Sequence, residues 1–122
     1  MNSELQQITQ WLNGCKGQSL HIQKREANDL DETHIQLEQV TVANDYPDRR
    51  DDYVSRHELI LHGRGYIVNS NPALNVSPPL PRDRYEIPLL GNWRGQVHNE
   101  MVQLMTDRAS YEITRQPFNQ LE

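Results

Sequence analysis

Cysteine and phenylalanine each occur once in the 122 residues, lysine only twice, and no long hydrophobic run is present. Each scarcity excludes something. A lone Cys15 forbids an internal disulfide and any four-cysteine zinc site. With no stretch near the roughly 20 apolar residues that cross a bilayer, no membrane span is expected. The opening MNSELQQITQWLNG has neither a basic leader nor a long apolar core, so a signal peptide is not expected and the cytoplasm is the default location. Basic excess is also missing. Twelve basic residues face 17 acidic ones for a net charge of -5, whereas phosphate contacts ask nucleic-acid binders for the opposite balance.

The acidity lies in the first half, with 11 acids against 6 bases in 1–61 and 6 against 6 in 62–122. Arginine outnumbers lysine ten to two, a choice that suits planar ion pairs and anion binding. Leu, Ile, Val and Phe amount to 28 residues, enough for a folded but lean core. Lean cores gain from association, which makes a homodimer a natural expectation, through an edge strand or a helix face.

The chain is organised around Arg56 to Ser70, RHELILHGRGYIVNS, read as a central strand or bent strand pair covered on both sides. Leu59, Leu61 and Ile67 fall on one face with Gly63 and Gly65; Ile60, Tyr66 and Val68 fall on the other. Before it, Ser3 to Asn13 reads as a short helix with Leu5, Ile8 and Leu12 in one stripe beside Trp11, stopped by Gly14. Gln18 to Arg25 alternates as a strand and Asn28 to Glu32 reads as a turn. His34 to Ala43 resumes as a strand whose parity slips between Leu37 and Val40, predicting a β-bulge near Glu38 and Gln39. Residues 44–55 and 69–83 read as loops, the second because Pro72, Pro78, Pro79 and Pro81 oppose regular pairing. Arg84 to Leu90 is a short strand with Pro88 at an edge, and Gly91-Asn92 signals a hairpin. Gln96 to Met105 reads as one strand, apolar on both faces, and Ala109 to Thr114 alternates cleanly after a turn at 106–108. Residues 116–122 form a frayed tail. The expectation is one domain over 1–122 of the α+β class: a short N-terminal helix on a five- to six-stranded, mainly antiparallel meander or half-open barrel, with a β-rich body over 18–115.

Motifs that carry chemistry are few. His57-Glu58 and His62 resemble the zinc-peptidase pair, but the spacing is five rather than four, and on a strand i and i+5 point apart. His21, His34, His57, His62 and His98 could meet across strands, yet no spacing selects a metal set, and no metal or cofactor is assigned. The aspartates of 44–52 lack the alternate spacing and glycine of a calcium loop. Cys15 follows a helix rather than preceding one, no G-x-S-x-G elbow occurs, and no catalytic residue is assigned. His98 and Glu100, two apart on one strand, could pair as acid and base or form an exposed polar ladder. Arg82 and Arg84, two apart on one strand face and with Arg64 and Arg94 nearby, could hold a carboxylate or phosphate, or pair with the acidic half. Pro78 to Pro81 is a polyproline candidate or a stiff connector. The leading reading is a non-enzymatic binding or interaction domain with a protein or small-molecule partner, contacting neither nucleic acid nor membrane. The alternative is a small enzyme or anion-binding half-barrel lined by Arg64, Arg82, Arg84, Arg94, His98 and Glu100.

Overall fold

The computed structural model describes residues 3–45, 56–68 and 78–115. The chain runs α1 (Ser3–Asn13), β1 (Ser19–Glu26), β2 (Asp29–Asp45), β3 (Arg56–Ile67), a 3-10 turn (Pro81–Asp83), β4 (Arg84–Leu89), β5 (Arg94–His98), β6 (Met101–Met105) and β7 (Ser110–Arg115). The seven strands form one antiparallel sheet in the order β4-β3-β2-β1-β7-β6-β5. The fold is therefore α+β with one short N-terminal helix, as the sequence indicates, with seven strands rather than five or six.

The sheet is not flat. Although β4 and β6 stand five places apart, the Asp107 N–H at the β6–β7 turn reaches the Leu90 carbonyl just past β4, 3.4 Å away. The β4 edge thus curls back towards the far half of the sheet and encloses a core. The bend has an identifiable source. Register slips between Leu37 and Gln39 where β2 pairs β3, the bulge that the parity change predicts. Gly63 and Gly65 allow the close approach there: a Cβ on Gly63 would fall on the Gln36 carbonyl, and one on Gly65 on that of His34.

The core gathers Leu20 and Ile22 of β1, Ile35 and Leu37 of β2, Leu59 and Leu61 of β3, Ile87 and Leu89 of β4, and Val102, Leu104 and Ile113 of β6 and β7. Helix α1 adds Leu5, Ile8 and Leu12, its predicted stripe, lying chiefly along β5. There the Glu4 carboxylate accepts the Gly95 N–H (3.1 Å), and the Trp11 indole N–H donates to the Asn99 carbonyl (3.0 Å). The edge strand is in this way engaged by the helix, a common protection against strand addition.

Several expectations need correcting. Residues 28–32 are not a turn: β1 and β2 pair up to Glu26 opposite Asp29, and the reversal is Ala27–Asn28, with Ala27 left-handed at φ 55. Lys24 opposite Asp31 gives those polar residues a cross-strand reason to stay extended. The left-handed glycine after α1 is Gly17 (φ 83) rather than Gly14. Gly91-Asn92 joins no hairpin, because β4 and β5 lie at opposite edges of the sheet. Gln96 to Met105 is two strands separated by a turn at Asn99–Glu100. Residues 78–80 are not free of pairing either. Ile67 N–H donates to the Pro78 carbonyl (2.8 Å) and Leu80 N–H to that of Gly65 (3.0 Å), a ladder that needs no proline donor. Finally, β3 is covered mainly on one side. Ile60 is buried on its outer face, but Arg64 and Tyr66 are exposed there. Pro88 does sit in an edge strand. Residues 44–45 are the end of β2 rather than loop and 81–83 form the 3-10 turn, while 46–55, 69–77 and the tail from 116 lie outside the described residues.

Candidate functional site

Each strand keeps its alternation along the inner face, but the chemistry changes partway. On β1, Leu20 and Ile22 are followed at the same parity by Lys24 and Glu26; on β2, Leu37 and Ile35 are preceded by Thr33 and Asp31. On β4 the buried Ile87 and Leu89 are preceded by Tyr85, and on β7 Ile113 is preceded by Tyr111. Where these polar positions meet, an open cavity of about 610 Å³ is bounded by Lys24 and by Asp31 and Thr33. Its far wall is Ile67, Leu80 and Pro81, with Arg82, Arg84, Tyr85 and Glu86 closing the rim.

Thr33 is the informative member. Only 3 % of it is exposed, and among the described residues its hydroxyl has no hydrogen-bond partner. Arg84 Nε in the same wall is buried without a hydrogen-bond partner among the described residues, whereas buried polar groups are nearly always satisfied. A hydroxyl on a cavity wall is available to a guest. Tyr85 is similar in kind: burial pushes its phenol far above the usual range, and the neighbouring Tyr111 and Asp31 add to the rise. It remains a neutral donor and acceptor. Burial raises Tyr111 as well, with Glu26 reinforcing the rise and Arg108 opposing it.

The charges are partly spent. Lys24 Nζ lies 3.3 Å from Glu26, and Arg84 Nε lies 3.0 Å from Glu86 but makes no hydrogen bond to it. Arg82 forms no ion pair among the described residues and is held at φ 57 in the turn beside Asp83 at φ 53. Left-handed backbone at two successive non-glycine residues is strained, and such strain gathers at binding sites.

Of the arginine group read from the sequence, Arg82 and Arg84 meet at this cavity and the others do not. Arg64 is exposed on the outer face of β3, opposite Gln36. Arg94 pairs with Glu4 of α1 (3.2 Å). His98 closes β5, while Glu100 sits in the following turn and accepts from Arg115 Nε (2.7 Å), so the two do not form the ladder pair that one strand would give. His98, Glu100 and Arg84 belong to opposite edges of the sheet and do not converge. Lys24, Asp31, Thr33 and Tyr85 were missed by sequence reasoning. The signal was available: counting by two from Leu20–Ile22 and back from Ile35 reaches Lys24, Thr33 and Asp31.

A second cluster lies on the outer face. His34 stacks between His21 (4.7 Å between ring centroids) and Tyr66 (5.2 Å), and His21 Nε2 is 3.0 Å from Glu32. Burial first, then the neighbouring His21, lowers the His34 pKa from its ordinary value, opposed by Glu32. His57 and His62 sit on an extended strand, and His62 Nε2 hydrogen-bonds Thr41 Oγ1 at 2.8 Å. Among the described residues no group of three or more His, Cys, Asp or Glu side chains is arranged to hold a metal ion. Cys15 is buried, and burial raises its pKa, which makes it a poor nucleophile.

No helix among the described residues is long and apolar enough to cross a membrane. No solved structure matches the chain. A curated relative from Bacillus subtilis (strain 168), described as "Uncharacterized protein YmzB", is 40% identical over 114 residues, covering 88% of this chain and 91% of the relative. Neither that relative's description nor the matching family's indicates a catalytic function. With the family description "YmzB-like protein" matching residues 1–117, the chain belongs to the YmzB-like protein family.

Proposed function

We propose that the protein is a non-enzymatic, cytoplasmic binding domain whose site is the polar end of the half-barrel, and that it takes a small molecule there. The observation that carries this reading is Arg84 Nε, buried and without a hydrogen-bond partner among the described residues, in the wall of a cavity of about 610 Å³ that also holds the 3 % exposed Thr33. That volume falls within the range of small-molecule sites, and polar groups converging on an apolar wall of Ile67, Leu80 and Pro81 are what such sites use to orient a guest. The lining contains no histidine and no cysteine, so acid–base work would fall to Lys24, Asp31, Glu86 or a phenol that burial keeps protonated. This composition favours binding over catalysis.

A partner protein is the other occupant the sequence suggests, and a second copy of the chain is its simplest form. Two of its expected routes are used internally: the apolar face of α1 is buried, and the β5 edge is engaged by Glu4. The small-molecule reading is therefore preferred. Its test is a ligand screen followed by amide chemical-shift mapping on the full chain. Shifts centred on Lys24, Asp31, Thr33, Ile67 and Tyr85 are expected. Shifts confined to the outer face, around His21, His34 and Tyr66, would contradict it.

A further inference from the structure

We infer that the ligand is an organic monocarboxylate with an apolar body, its carboxylate held at Arg82 and its body laid on Ile67, Leu80 and Tyr85. The inference rests on the site proposed above and adds the chemical class of its occupant. It starts from charge. Among the described residues the lining carries the cations Lys24, Arg82 and Arg84 and the carboxylates Asp31 and Glu86, with Glu26 beside Lys24. Two of the cations already face carboxylates, Lys24 that of Glu26 and Arg84 that of Glu86. Arg82 has no such partner among the described residues, and a guanidinium matches a carboxylate with two parallel N–H donors.

The same lining argues for one negative charge rather than two. Asp31 and Glu86 would repel a phosphate dianion more strongly than a monoanion, and among the described residues Arg82 is the lining cation with no carboxylate in ion-pair reach. The apolar body follows from the opposite wall, where Ile67, Leu80 and Pro81 stand together with the Tyr85 ring. Burying such a body supplies affinity in proportion to the apolar area removed from water. The Thr33 and Tyr85 hydroxyls, which no described residue engages, remain for a carboxylate oxygen or a polar substituent.

The experiment compares four probes by titration calorimetry and chemical-shift mapping on the full chain: 3-phenylpropanoate, 3-phenylpropan-1-ol, 3-phenylpropylamine and inorganic phosphate. The expected result is that 3-phenylpropanoate binds in the cavity at least about tenfold more tightly than the alcohol, the size of one charge-assisted contact. Arg82→Asn, chosen because asparagine tolerates a left-handed backbone, should abolish that preference without moving the melting temperature. Arg82→Lys should keep part of it. If the alcohol or the amine binds in the cavity as well as the acid, the pocket stands and the carboxylate inference falls. Preference for phosphate, or an acid preference that survives Arg82→Asn, likewise overturns it. If no probe shifts any cavity residue, the inference and the proposed site fail together.

Discussion

The inner face of the sheet is built twice from the same strands. In its filled part it carries Leu20, Ile22, Ile35, Leu37, Leu59 and Leu61, each at most 1 % exposed and in one buried cluster with Leu5, Ile8 and Leu12. Towards the β1–β2 turn the same alternation presents Lys24, Asp31, Thr33, Tyr85 and Tyr111, and the interior opens into a cavity. Backbone pairing is continuous across both regions, so the difference lies in the side chains alone. One half of the interior is filled for stability; the other is left polar at some cost. That contrast is what a binding site set into a small core requires, because apolar burial at one end must support unsatisfied groups at the other.

The sharpest break between the halves is a truncation at the filled end. Leu61→Ala is expected to cost about 2–5 kcal/mol by urea unfolding, the range for an enclosed leucine. A loss below about 1 kcal/mol would mean that this region is no better packed than the cavity. Next in size is Gly95→Ala, where an added Cβ would press on Ile8 Cδ1 and approach Leu104 Cδ2 at 3.0 Å. About 1–3 kcal/mol of overpacking is expected, read as a lowered urea midpoint. No change would show that α1 does not rest on β5.

The outer face gives a smaller, pH-dependent effect. Burial lowers the His34 pKa, so the folded state prefers the neutral imidazole while the unfolded chain takes up its proton near the ordinary value of 6.5. The contribution of His34 is therefore complete above that pH and is lost as pH falls through it towards the lowered folded value. Comparing thermal melts of the wild type and His34→Gln between pH 7.5 and about 5 should show the wild type losing more on acidification. Parallel curves would contradict the burial of that ring. The smallest effect belongs to the cavity: Thr33→Val removes a hydroxyl that has no partner, so stability should stay within about 0.5 kcal/mol or rise. A loss like that of Leu61→Ala would assign Thr33 to the packed half instead.

Much of this fold was legible from alternation alone. α1 occupies the predicted Ser3–Asn13, and the parity change after Leu37 identified the bulge that bends β2. What was lost was lost at turns. Asn28, Asp29 and Asp31 have the composition of a turn, yet the reversal is made by Ala27 and Asn28, because pairing with β1 holds the acidic residues extended. Reading 28–32 as loop removed Asp31 from view as a wall residue. The continuous apolar signal of 96–105 hid a turn at Asn99–Glu100 with no glycine or proline to announce it, and this placed His98 and Glu100 on one strand when they are not. Arg82 and Arg84 do not share a strand, since Arg82 lies in the 3-10 turn and Arg84 opens β4, although both line the cavity. Arg64 and Arg94 were separated from it by a sheet order that only long-range pairing decides.

The most direct test of the two-part interior is thiol labelling of Thr33→Cys and Ile35→Cys, each in a Cys15→Ala background. The two positions are neighbours at the same parity on β2, 3 % and 1 % exposed respectively. An open cavity predicts faster modification of Cys at 33 than of Cys at 35. Equal protection of both positions would show that the polar end is closed and that no site exists there.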